Sequence, residues 1–222
     1  MLNEMMHRPI VHQEVLTFLR TGQRPFTGKL GDLQAEANRL GIPIIPHETA
    51  KFIDFLCSIF KPHQILEIGT AVGFSAALMA QHLSDQGHLT TIDRYEKMFA
   101  RAKDNFKKMD LTDKITLLEG DAADILPTLT GPYDLIFMDS AKAKYVEFLP
   151  ECLRLLRTGG ILLIDDVFQG GTVFDDESEI PKRVRKIHRK LNELLQTVQV
   201  EPTIRESYLP LGDGLLMIRK EE

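Results

Sequence analysis

The chain has 222 residues, 43% of them hydrophobic and 27% charged, with a formal net charge of −5. That length and composition suit one globular domain with a short extension. They exclude a membrane-spanning chain, because no apolar stretch approaches the roughly 20 residues a span needs. The acidic balance argues against broad non-specific binding to nucleic acid but leaves room for a local basic patch. The start, MLNEMMHRPIVHQEVLTFLR, lacks the basic end, apolar block and small-residue cleavage site of a signal peptide. Cys57 and Cys152 lie far apart in apolar, helical-looking stretches. They read as reduced core residues of a cytosolic (cytoplasmic) protein rather than as a disulfide or metal pair.

In chain order, residues 8–22 and 28–41 read as helices, the second ending on Gly41. Residues 42–46, IPIIP, are extended, since proline at both ends opposes helix. Residues 1–41 are read as a helical extension and 42–222 as the main domain. Helical periodicity returns over 47–60. Short apolar runs then alternate with amphipathic segments: QILEIG (64–69), LTTID (89–93), ITLLEG (115–120), YDLIFMD (133–139) and GILLIDDV (160–167). Strands rich in leucine and β-branched residues, each followed by a helical segment, predict an α/β fold. Its sheet is mostly parallel, with helices on both faces. A polar loop, FQGGTVFDDESE, leads to a basic helix over 180–196. VEPTIRESYLP and GLLMIRK flank the turn Leu211-Gly212-Asp213-Gly214 and predict an antiparallel hairpin at the sheet edge.

Ligands of such a sheet bind at the carboxyl ends of its strands, near the switch point. The first strand ends in Glu67, followed by Gly69, Thr70 and Gly73, with Ser75 in the first helical turn. Gly69 permits a tight turn, Gly73 a close approach, and the helix start offers free N–H groups. No Gly-Lys-Ser/Thr follows, which opposes a nucleotide P-loop, and the spacing is not GxGxxG. The turn points to a nucleotide-like ligand; the alternative is a tight turn that holds none. Asp93 ends the second strand, where an acid accepts ribose hydroxyls. Asp121 follows the third, placed to receive an adenine amino group. The alternative for either acid is a helix cap.

Asp139 ends the fourth strand and Asp165-Asp166 the fifth. Three carboxylates on one rim repel unless a cation lies between them, and hard oxygen ligands suit Mg²⁺ or another divalent cation. The alternative is again helix capping. Lys142, three residues after Asp139, faces the same rim from a helix start. A lysine that is partly desolvated beside a metal acts as a base once its pKa is lowered. The alternative is an ordinary surface lysine, as Lys144 is read to be.

ILEIGTAVGFSA, TTIDRYE, GDAADILPTL, YDLIFMDSAKAKY and GGILLIDDVFQGG, in this order, resemble the metal-dependent class I O-methyltransferases, the catechol and caffeoyl-CoA group. The resemblance covers roughly residues 40–220. It is nearest to the bacterial tRNA 5-hydroxyuridine methyltransferase branch, through the N-terminal helices, the basic helix and the ending LPLGDGLLMIRK. It implies a Rossmann-like fold of seven strands and S-adenosylmethionine as cofactor. The cofactor would lie against Glu67, Gly69, Thr70, Gly73, Ser75, Asp93, Asp121, Ala122 and Asp139, with Ile45 covering it. It further implies Mg²⁺ on Asp139, Asp165 and Asp166, Lys142 as the base beside Asp139, and a homodimer. One departure stands out: the family usually has Asp-Asn where this chain has Asp165-Asp166.

The expected reaction is methylation of wobble 5-hydroxyuridine in the tRNA anticodon loop. A 5-hydroxyuracil presents two adjacent oxygens to a metal, as a catechol does. The helix after the metal loop concentrates Lys182, Arg183, Arg185, Lys186, Arg189 and Lys190. Lys182, Arg183, Arg185 and Arg189 are the candidates for holding anticodon-loop phosphates; the alternative is a solvated helix face. A small-molecule catechol or caffeoyl-CoA-type O-methyltransferase is the competing function. The absence of Trp and the few aromatics in the 168–180 loop tilt toward tRNA. A non-catalytic S-adenosylmethionine-binding protein is a third reading, opposed by the intact Asp139, Lys142 and Asp165 set.

Overall fold

The computed structural model describes residues 11–221. The start of the first expected helix, residues 8–10, lies outside them. Within them that helix is shorter than expected: α1 spans Gln13–Thr17 and a wider π-helical turn continues over Phe18–Gly22. Gln23 then turns extended ahead of Pro25. Helix α2 covers Gly28–Arg39 and α3 covers His47–Phe60. Leu30, Leu33 and Ala37 of α2 and Ala50, Ile53 and Cys57 of α3 repeat at helical spacing and enter one buried cluster. The extension therefore shares its core with the main domain.

The alternation follows: β1 Gln64–Ile68, α4 Phe74–Ala80, β2 His88–Asp93, α5 Glu96–Lys108, β3 Ile115–Glu119, α6 Ala122–Ile125, β4 Tyr133–Met138, α7 Tyr145–Leu155 and β5 Leu156–Ile164. Then come α8 Arg185–Val200, β6 Ile204–Leu209 and β7 Leu215–Lys220. The seven-stranded sheet runs β3-β2-β1-β4-β5-β7-β6. Neighbours among β1 to β5 are parallel, and β7 is antiparallel to both β5 and β6. The expected fold class and edge hairpin are thus present, with β7 inserted between β5 and β6.

The strands sit between two apolar clusters, one on each face. Leu66, Ile68, Ile136 and Met138 belong to one, with α7 and α8. Ile65, Leu135 and Phe137 belong to the other, with α3 and α4. Alternate residues of one strand thus serve opposite faces, as the period of two requires. Cys57 and Cys152 are unpaired and fully buried, and burial pushes both thiols up to about 12. They are inert packing groups. Among the described residues no helix is long and apolar enough to cross a membrane.

Candidate active site at the carboxyl rim

Backbone hydrogen bonds tie the strand ends into one row. Gly120 N–H donates to Asp93 O, Gly69 N–H to Ile92 O, Asp139 N–H to Ile68 O and Asp165 N–H to Met138 O, each at 2.9–3.0 Å. The turn after β1 and the acids at the ends of β2, β4 and β5 therefore share one rim. The strand order reverses beside β1, which opens a crevice there.

The turn is held from beneath by side chains. Glu67 is fully buried, and its two oxygens accept the Ser75 and Thr91 hydroxyls, each at 2.5 Å. Thr91 also meets the Thr70 hydroxyl at 2.6 Å. Asp93 accepts from the backbone N–H groups of Thr70, Ala71 and Tyr95, at 3.1, 2.8 and 2.8 Å. Glu67 and Asp93 thus brace the turn, and the Ser75 hydroxyl is committed to Glu67. Gly73 caps the start of α4, and Ile45, 4% exposed, belongs to the buried cluster that holds Val72 and Phe74. Asp121 realises the capping alternative: it accepts from Ala123 N–H at 3.0 Å. It also pairs with Arg94 at 2.9 Å, with Ala122 buried beside it. Arg94 lies over the exposed Tyr95 ring, 5.1 Å from its centroid. The sequence reading gave neither residue a role, although both lie in the TTIDRYE motif, because their pairing with Asp121 and with each other arises only in the fold.

Burial raises the Glu67 pKa from its ordinary 4.5 to about 7 against the lowering pull of Ser75 and Thr91. The folded chain thus binds this proton more tightly than the unfolded chain. Its stabilising contribution is complete below about pH 4.5 and is lost as pH rises to about 7, a change on the order of 3 kcal/mol. In Glu67→Gln that loss is absent, so melting temperatures should shift in the variant's favour between pH 5 and pH 8. Parallel pH profiles for the two proteins would contradict this.

Asp165 is 2% exposed, and Asp165 Oδ1 accepts the Asp166 N–H at 2.9 Å. Asp166 itself takes a left-handed φ of 62°, a conformation that Asp and Asn tolerate better than most residues. Burial and the neighbouring Asp166 push Asp139 and Asp165 above the usual carboxylate range. Lys142 Nζ stands 3.1 Å from Asp166 Oδ2 and 3.1 Å from Asp213 Oδ2. Burial pulls its pKa down, but Asp166 and Asp213 outweigh burial and leave it raised. The expected lowered lysine pKa is thereby corrected: Lys142 is a held ammonium. Lys144 pairs with Glu147, as a surface lysine does.

Among the described residues no three His, Cys, Asp or Glu side chains form a group arranged to hold a metal ion. Asp139, Asp165 and Asp166 reach one rim as expected, but Asp166 is engaged by Lys142, so the protein's own cation takes up part of the charge. The donor chemistry still suits a hard cation. The Asp139 carboxylate makes no hydrogen bond among the described residues, and Asp139 and Asp165 are both held above their ordinary range.

Two further features escaped the sequence. Asp213 closes on Lys142 from a distant turn. Phe168 stacks on Tyr208 of β6 at 6.3 Å and meets Phe174 at 5.8 Å, building an aromatic cluster from two separate segments. Gln169 beside it has a left-handed φ of 48°, is 1% exposed, and has no partner for either amide atom. Such strain and unpaired polarity are typical of functional loops. The basic helix begins later than expected, at Arg185; Lys182 and Arg183 lie in a tight turn ahead of it, exposed and unpaired among the described residues. Arg185 instead donates to the carbonyls of Ile180 and Ser178, and Arg189 pairs with Glu177.

The strand order, with its glycine turn after β1 and its acidic strand ends, is that of a Rossmann-like α/β fold with a ligand crevice at β1. The SAH-bound methyltransferase PaMTH1 of Podospora anserina superposes with a TM-score of 0.83 at 28% identity, covering 94% of each chain. The O-methyltransferase family profile matches residues 29–221, and the chain belongs to that family. A catechol O-methyltransferase of Niastella koreensis is 36% identical over 151 residues, covering 66% of this chain and 68% of the relative. A caffeoyl-CoA O-methyltransferase of Stellaria longipes is 30% identical over 179 residues, covering 77% and 73%.

Proposed function

We propose that this O-methyltransferase binds S-adenosylmethionine at the 69–75 turn and methylates a hydroxyl that has a second oxygen beside it, on a small phenolic substrate. The observation that carries the reading is the Lys142 ammonium, held at the strand-end rim beside Asp139 and next to the cofactor turn. The catechol and caffeoyl-CoA relatives support this substrate class. So does the Phe168, Phe174 and Tyr208 cluster, since Phe174 is 70% exposed and offers an aromatic wall.

Transfer forms a bond between the substrate oxygen and the methyl carbon and breaks the methyl–sulfonium bond. S-adenosylhomocysteine leaves as a neutral thioether and the hydroxyl proton passes to solvent. Turn and rim hold the two reactants in line. Lys142 Nζ, its side chain only 12% exposed, stabilises the oxyanion. Asp139, Asp165 and Asp166 would hold a divalent cation, which supplies Lewis acidity toward the same oxygen when bound. EDTA and, separately, Asp139→Ala are each expected to abolish most transfer. Activity that survives both would remove the metal from the account.

The second reading, wobble 5-hydroxyuridine in tRNA, is supported by Lys182, Arg183 and Lys186, which stand exposed on and just before α8. That helix packs against the Lys142–Lys144 turn. Nucleoside analysis of tRNA from a deletion strain separates the two substrates. Accumulated 5-hydroxyuridine with missing 5-methoxyuridine supports tRNA, and unchanged tRNA leaves the small phenol.

A further inference from the structure

We infer that Asp213 is a positioning residue of the reaction, fixing both the Lys142 ammonium and the loop that follows the metal-site acids. The inference rests on the methyltransferase reading.

Asp213 is 8% exposed and uses both carboxylate oxygens. Oδ2 accepts from Lys142 Nζ at 3.1 Å, and Oδ1 accepts from the Gly170 N–H in a short hydrogen bond. Its carbonyl accepts Phe168 N–H at 2.9 Å, and the Gly214 carbonyl accepts Val167 N–H at 3.0 Å. Gly214 has φ +90°, and a Cβ there would fall 2.5 Å from Phe168 Cγ, so the 211–214 turn and the 167–170 loop are in close contact. One side chain therefore joins the turn before β7, the loop after β5 and the lysine after β4.

The consequence is chemical as well as structural. A lysine side chain has several rotatable bonds and samples many orientations when free. With only Asp166 beside it, the ammonium would be drawn onto one of the acids proposed to hold the metal. Asp213 supplies a second anchor from another segment, and two anchors fix the direction of Nζ. The Gly170 bond couples that direction to the loop bearing Phe168 and the strained Gln169.

Asp213→Asn keeps an oxygen for Gly170 N–H and removes the charge from Lys142; Asp213→Ala removes both. With a catechol substrate, Asp213→Asn is expected to lower kcat by roughly ten- to a hundred-fold. Its affinity for S-adenosylmethionine and its melting temperature should stay near wild type. Asp213→Ala should also raise KM. In a Lys142→Met background, Asp213→Asn should change kcat no further. Equal effects in the two backgrounds would overturn the inference, because a merely structural role acts without Lys142. Lysine acylation with acetic anhydride, read by mass spectrometry, provides a test without turnover. Lys142 should react several-fold faster in Asp213→Asn than in wild type, with Lys144 as reference, and an unchanged rate would overturn the inference. A wild-type protein that methylates no substrate sinks the functional reading instead, and the acylation rates then decide the positioning alone.

Discussion

Lys142→Met is expected to lower kcat by about a hundred- to a thousand-fold while leaving the affinity for S-adenosylmethionine unchanged. Removing a preorganised donor from a developing oxyanion has effects of that order in a water-poor site. Lys142 is held as such a donor would be: its ammonium sits between Asp166 and Asp213, at 3.1 Å from each. Methionine keeps the length of the stem and removes the charge, so packing against the rim changes little. The cofactor turn depends on Glu67, Thr91 and Asp93, none of which touches Lys142. Single-turnover kinetics together with calorimetric titration of S-adenosylmethionine checks both parts. A full-speed variant would show that the lysine only balances charge. A variant that loses the cofactor would show that it supports the turn.

Gly69→Ala should cost about 3 kcal/mol or more of stability and abolish cofactor binding. Gly69 has φ +107°, where an L side chain is strained before any contact is considered. A Cβ there would fall 2.8 Å from the Asp139 carbonyl carbon and closer still to its oxygen. The obstruction is backbone and cannot rotate away. Relief requires β1 and β4 to separate where Asp139 N–H bonds Ile68 O, which also moves Asp139. Urea unfolding measures the stability loss. A variant with wild-type stability and cofactor affinity would mean that the turn is far more pliant than its bracing implies.

The strands were legible because buried parallel strands are written as continuous apolar runs, and QILEI and YDLIFM differ sharply from their flanks. The fifth strand begins earlier than expected, at Leu156 rather than Gly160. The added residues, Leu156 to Gly159, carry an irregular register opposite Tyr133 and Leu135, which the apolar run does not announce. The acids at the strand ends were legible as a set. Their partners were not, because partners come from tertiary approach. Nothing near Lys142 in sequence announces Asp213, and nothing near Phe168 announces Tyr208. The lysine's pKa was misjudged for the same reason: desolvation follows from position, whereas two carboxylates at hydrogen-bonding distance do not. In the basic segment over 182–190, composition alone does not distinguish Arg185, which staples the preceding loop, from the exposed Lys182 and Arg183.

The central claim is that the 69–75 turn delivers a methyl group from S-adenosylmethionine to an oxygen at the Lys142 rim. It is tested most directly by incubating the protein with methyl-labelled S-adenosylmethionine, Mg²⁺ and a catechol substrate, then locating the label by mass spectrometry and NMR. The account predicts a labelled methyl ether on one of the two adjacent oxygens, formed by wild type and lost in Lys142→Met. A label on carbon or nitrogen, or equal transfer by the two proteins, would contradict it.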